Sequence, residues 1–291
     1  MLNRLFARGK EEMRALDAPV QPALASAIEL VGENEHSHES PQVVSQAVAV
    51  IGAKGGVGAT TVAVNLAAAL SLLRVPTTIV DGNLQHPGVA DLVGVEPEHS
   101  IIELLARVGE VDRKLFEACT VDIGSANFKL LSPPLNGEAA LQTDLSELSR
   151  CLDSIRPYSG AWVVDLPQHL DRHLVTLLDQ CARVVLVFEA TVPGVASCQR
   201  WLKIFRELGY EKDRVICLLN RSGSKFKGVE DQLEETFFEQ PIFRLPNCSL
   251  AIWDCVNKAV PLIVDNPSHA YSRAIVRLAE LINQSNSVRS R

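Results

Sequence analysis

From Ala47 onward the chain alternates short apolar runs with amphipathic stretches, and nothing else in it limits the fold as much. The runs 47–52, 77–81, 128–131, 161–166, 183–188 and 215–220, with a shorter one at 241–245, are rich in Val, Ile and Leu. Gly, Pro, Asp or Asn bound them, as suits strands buried on both faces. Between them the spacing predicts helices over 60–73, 100–108, 138–155, 172–181, 193–208, 229–238, 249–258 and 268–283. Strand alternating with helix implies right-handed βαβ units. The expected class is therefore α/β, a mainly parallel doubly wound sheet with helices on both faces. Residues 47–284 read as one domain and 285–291 as a flexible C-terminal tail.

Residues 1–46 read as a mostly disordered tail, with Glu-rich and Ser/His stretches and little periodicity. Leu2, Leu5 and Phe6 share one helical face with Arg4, Arg8 and Lys10 outside it, so a membrane or partner foothold is the alternative to a frayed end. His36 and His38 lack further ligands at metal spacing. Lys and Arg total 28 against 35 Asp and Glu, a net charge of −7, which argues against a chain that coats nucleic acid. The basic face Arg200, Lys203 and Arg206 and the loop Arg221, Lys225 and Lys227 then read as solvated surface, and no sequence-specific nucleic acid is expected. No stretch has the apolar length to span a bilayer, and Arg4 comes too soon for a secretory signal. Seven scattered cysteines, none spaced CxxC, suit reduced core thiols of a cytoplasmic protein.

The chemistry starts after the first predicted strand, at Gly52-Ala53-Lys54-Gly55-Gly56-Val57-Gly58-Ala59-Thr60-Thr61, which opens straight into a helix. Glycines let a backbone turn its N–H groups inward as an anion nest, and the helix adds its N-terminal partial charge. Thr60 is placed to offer a hydroxyl to Mg²⁺ and Thr61 one to a phosphate. A dinucleotide fingerprint fails for want of a third glycine at Thr61. The strict P-loop pattern fails too. Aligned on Gly58 and Thr60, it puts Ala53 at its first glycine and Ala59 at its lysine, while Lys54 lies five residues earlier.

This combination resembles the deviant Walker A family of MinD and ParA, K-G-G-x-G-x-T-T, within the P-loop NTPases. The likeness extends over 47–284, and the nearest branch is similar to the TadZ/CpaE proteins of tight-adherence pilus assembly, which also lack the second lysine. Leu84-Gln85 with Val89, and the stretches 96–100, 218–221, 245–247 and 257–262, carry it further. A receiver-like N-terminal domain common in that branch does not fit into 46 residues. The resemblance implies that ATP and Mg²⁺ bind at Gly55, Gly56, Val57, Gly58, Ala59, Thr60 and Thr61. It implies that Lys54 reaches across a nucleotide-sandwich homodimer to the partner's phosphates. Asp81 and Asp165 would join Thr60 in holding Mg²⁺ through water. Asn220, Arg221, Pro246 and Asn247 would face the adenine.

Two further positions depart from the family. Hydrolytic members carry a water-positioning Asp where this chain has Asn83, and an amide cannot accept the proton. Leu166 follows Asp165 where a hydroxyl is usual. With Ala59 these changes imply slow or absent ATP hydrolysis. The resulting expectation is a cytoplasmic positioning or scaffold factor for a pilus or secretion machine, recruited to the inner membrane or pole, touching membrane indirectly or through its N-terminal tail. Alternatives are an active MinD/ParA-type switch for flagellar, division or partition positioning, a tyrosine-kinase-like polysaccharide regulator suggested by 81–87, and a nucleotide-free interaction module. His86 and His169 pair with nothing as acid and base, and Trp162, Trp201 and Trp253 read as core or interface aromatics.

Overall fold

The structure, a computed structural model, describes residues 46–84, 86–134, 147–223, 227–237 and 240–289. The tail expected over 1–46 lies outside them except for Gln46, which opens the first strand. The start of the helix expected at 138 and the basic Lys225 also lie outside the described residues.

Eight strands make one sheet: β1 (Gln46–Gly52), β2 (Thr77–Asp81), β3 (Val121–Ile123), β4 (Phe128–Leu131), β5 (Ala161–Leu166), β6 (Arg183–Glu189), β7 (Val215–Ser222) and β8 (Ile242–Pro246). Their order is β3-β4-β2-β5-β1-β6-β7-β8. Every pairing is parallel except β3 against β4. Helices α1 (Ala59–Leu72), α2 (Val89–Val93), α3 (Ile101–Leu105), α4 (Arg113–Cys119), α5 (Leu148–Ile155), α6 (Arg172–Asp179), α7 (Val192–Glu207), α8 (Lys227–Glu230), α9 (Leu233–Thr236), α10 (Ser249–Lys258), α11 (Leu262–Asp265) and α12 (Ala270–Arg289) follow in chain order.

The strands serve two cores at once, because successive side chains point to opposite faces. Ala47, Ala49 and Ile51 of β1 join Trp162, Val164 and Leu166 of β5 under α3 to α7. Val48, Val50, Ala161 and Val163 face the other layer, with α1, α2 and α10 to α12. Helix α1 is apolar nearly all round, and Val62 to Ser71 are all buried. Its one buried amide, Asn65, is satisfied: Nδ2 donates to Thr61 O (2.9 Å) and Oδ1 accepts from Ile263 N (3.1 Å). That pairing ties α11 to the helix behind the glycine loop.

Several elements depart from the sequence reading. Where one helix is expected over 229–238, the described part, to 237, forms α8 and α9 around a turn at Asp231-Gln232, and Phe238 lies outside the described residues. Edge strand β3 was not signalled, since its three residues form only one side of a tight antiparallel pair. Helix α12 continues to Arg289, through most of the stretch read as a C-terminal tail. Once nucleated and anchored by Ile275, Leu278 and Ile282, a helix gains one bond per added residue and propagates beyond its packed part. All seven cysteines are free, and six are buried.

Candidate functional site

The glycine loop leaves the carboxyl end of β1, where ligands of such sheets gather. Ala53 N donates to Val187 O of β6 (2.8 Å), so the strand ladder holds for one residue past β1. The chain then turns through Gly56 (φ +77°) and Gly58 (φ +88°), a region that side-chain-bearing residues rarely enter. Gly58 caps α1 without a side-chain cap, and the first helical bond runs from Val62 N to Gly58 O (3.0 Å). The N–H groups of Ala59, Thr60 and Thr61 thus have no partner within the helix.

The loop is braced from outside through its carbonyls. Asn220 Nδ2 donates to Val57 O (2.8 Å), and Arg221 Nη2 donates to Gly56 O (3.2 Å). Arg221 also pairs with Glu189 (3.1 Å), whose second oxygen holds Lys54 Nζ at 2.7 Å. Burial alone would raise Glu189, but Lys54, Arg221 and the Thr191 hydroxyl hold it below the ordinary carboxylate value. Carbonyls engaged on the outside leave the loop amides to face the cleft, the arrangement an anion nest requires. Asn220 is itself held, its Oδ1 accepting from Arg221 N (3.0 Å).

Two acids stand side by side at the ends of β2 and β5, where Asp81 and Asp165 are register partners. Asp81 is fully buried and accepts three backbone N–H bonds, from Asn83 (3.0 Å), Gly88 (2.8 Å) and Val89 (3.0 Å). It therefore seats the start of α2, while burial keeps its pKa above the ordinary value despite those donors. Asp165 is pushed up to about 7 by burial and by the Asp81 carboxylate, with the Thr60 side chain acting in the opposite direction. Two crowded carboxylates beside a threonine hydroxyl fit a divalent cation, which would relieve their repulsion. Among the described residues no cluster of three His, Cys, Asp or Glu could hold a metal alone. Mg²⁺ needs none, since it takes most of its shell from water and phosphate.

The raised pKa of Asp165 gives a signed pH dependence. Between its unfolded value near 4 and its folded value near 7 the native state binds more protons, so stability falls as pH rises through that window. Asp165→Asn without nucleotide or Mg²⁺ should melt a few degrees above wild type at pH 8 and close to it at pH 4.5. Parallel melting curves across that range would contradict the assignment.

Thr60 and Thr61 line a cleft of about 690 Å³ together with the rest of the loop. Asn83, His86, Gln168 and His169 also line it, as do Arg221, Ile252, Trp253 and Val256. Pro246 and Asn247 do not line it. Asn247 N donates to Ser222 O (2.8 Å), and its Oδ1 accepts from Ser249 N (3.3 Å) and Ser249 Oγ (2.8 Å) at the start of α10. Leu166 is buried above Gly82, whose N–H donates to Asp165 O (2.8 Å); a Cβ on Gly82 would come within 2.8 Å of that oxygen. Sequence reasoning overlooked Glu189, although an acid closing the apolar run 183–188 is the same signal that singled out Asp165.

Comparison with known proteins points one way. The model of the CobQ/CobB/MinD/ParA nucleotide binding domain matches residues 48–251. An uncharacterized ATP-binding protein of Methanocaldococcus jannaschii is 18% identical over 234 residues, 80% of this chain and 86% of its own. The crystal structure of a ParA family ATPase from Chlorobium tepidum superposes with a TM-score of 0.74 at 20% identity, covering 80% of this chain and 98% of that one. MinD from Pyrococcus horikoshii, solved with Mg-ADP, gives 0.71 at 18% identity, covering 84% and 98%.

Proposed function

Because the chain belongs to the CobQ/CobB/MinD/ParA nucleotide-binding family, we propose that its loop 52–61 holds the triphosphate of ATP with Mg²⁺. The observation that carries this reading is the brace of Asn220 and Arg221 on the loop carbonyls. Loop amides and the start of α1 receive the phosphates, and Thr60 with Asp165 and Asp81 would hold Mg²⁺, partly through water. Bound there, Mg²⁺ neutralises phosphate charge. Lys54 must leave Glu189 to reach any phosphate, and in a nucleotide-sandwich homodimer it crosses to those of the second copy. Pro246 and Asn247 form the β8–α10 corner from which α10 brings Ile252, Trp253 and Val256 to the cleft.

The same three departures, Ala59, Asn83 and Leu166, support a slow or inactive ATPase. Such a protein acts by its nucleotide-dependent state, as a positioning or scaffold factor. The early lysine without its later companion favours the branch that serves Tad-type pilus or secretion machines. In that role the protein works in the cytoplasm and is recruited to the inner membrane or pole through partners. Among the described residues no helix is long and apolar enough to cross a membrane.

Light scattering after size exclusion tests the proposal. Wild type should double in mass with MgATP. Lys54→Ala should stay monomeric while its calorimetric ATP affinity falls less than about 10-fold, since a lysine acting in trans is lost mainly from the dimer. Unchanged mass with ATP bound would remove the sandwich. No heat with ATP would leave the nucleotide-free interaction module.

A further inference from the structure

We propose that Trp253 is the base-side wall of the cleft and holds the nucleotide by stacking on its purine. The inference rests on the reading that a triphosphate occupies the loop. Trp253 is 71% exposed, on a helix wall of the same cleft that the glycine loop floors. The other two tryptophans are buried and packed on rings, Trp162 on Phe116 and Trp201 on Phe205. Trp253 has no ring partner among the described residues. Its helix is firmly placed: Asn247 Oδ1 accepts from Ser249 N at its start, Cys255 is buried in the core, Ala259 ends it in the left-handed region, and Lys258 pairs with Asp254 and Asp265.

Two side-chain amides close to the cleft are each partly held by other groups. Asn220 donates to Val57 O and accepts from Arg221 N, and it packs so closely that a Cβ on Gly58 would lie 2.8 Å from its Nδ2. The oxygen of Asn247 is bound to Ser249. Trp253 adds a flat aromatic face to the cleft, with Ile252 and Val256 lining it as well.

The test uses the full chain and its three tryptophans, of which Trp253 alone is exposed. Emission is titrated with MgATP and magnesium tripolyphosphate, alongside calorimetry on wild type, Trp253→Phe and Trp253→Ala. MgATP should quench emission, while tripolyphosphate binds without quenching. Trp253→Ala should lose about 10- to 100-fold in ATP affinity and none for tripolyphosphate, and Trp253→Phe should keep most of it. Wild-type ATP affinity in Trp253→Ala would overturn the proposal. So would equal quenching by tripolyphosphate, which would mean that α10 senses closure or a second copy and not a base. If tripolyphosphate and ATP both fail to bind wild type, the phosphate site falls and this inference with it.

Discussion

Gly58→Val should lower MgATP affinity by at least about 100-fold while the protein still folds. Two effects act together. Gly58 sits at φ +88°, a conformation that costs an L-residue roughly 1–2 kcal/mol and a β-branched one more. Its new Cβ would also stand 2.8 Å from Asn220 Nδ2, pushing that amide off the Val57 carbonyl and releasing the brace. Gly56→Ala is the control. It shares a positive φ of +77°, yet a Cβ there meets nothing within 4 Å, so strain alone remains and the loss should stay below about 10-fold. Calorimetry with melting curves for both variants decides the matter. Equal effects would mean that strain, and not the Asn220 brace, shapes the loop.

The second large effect is a gain. Ala59→Lys combined with Asn83→Asp should raise the steady-state ATPase rate by about 10²-fold, the size of effect that one oriented donor or charge supplies at a phosphoryl-transfer site. The structure has room for both changes. Ala59 opens α1 and lines the cleft, so a lysine side chain extends into it. Asn83 Oδ1 already accepts from His86 N (3.3 Å), a bond that an aspartate oxygen keeps. Each single variant should give less than the pair, because catalytic groups that act as a unit do not contribute additively. Phosphate release measured on wild type, both singles and the double is the assay. A double variant no faster than wild type would place the defect at Leu166, which is buried over Gly82 and stiffens the end of β5.

The parts of the fold that could be read from the chain are those whose apolar periodicity is long. The spans 77–81, 128–131 and 161–166 match β2, β4 and β5 to the residue, because strands buried on both faces carry unbroken Val, Ile and Leu. Helices α2, α4 and α11 went unseen. The first and last are only five and four residues long, and the first is seated by a carboxylate outside it, Asp81. The seven-residue α4 starts at the Asp112 cap and buries little beyond Phe116 and Cys119. In the site, the glycine loop and its threonines were legible because phosphate binding needs local backbone geometry. The bond partners were not. Asn220 was read for a base and is found holding Val57, 163 residues away in sequence; Lys54 is found on Glu189. Such pairings arise from the β1–β6–β7 neighbourhood, which only the sheet order creates. Trp253 illustrates the same point, since nothing in its sequence surroundings separates it from the two buried tryptophans.

The central claim is that the braced loop still receives a triphosphate without the lysine that Ala59 replaces. A crystal structure of the chain grown with a non-hydrolysable ATP analogue and Mg²⁺ tests it most directly. The account predicts the β- and γ-phosphates on the amides of residues 55–61, the cation beside Thr60 and Asp165, and Lys54 released from Glu189. Lys54 still locked to Glu189 over a loop holding no nucleotide would contradict it.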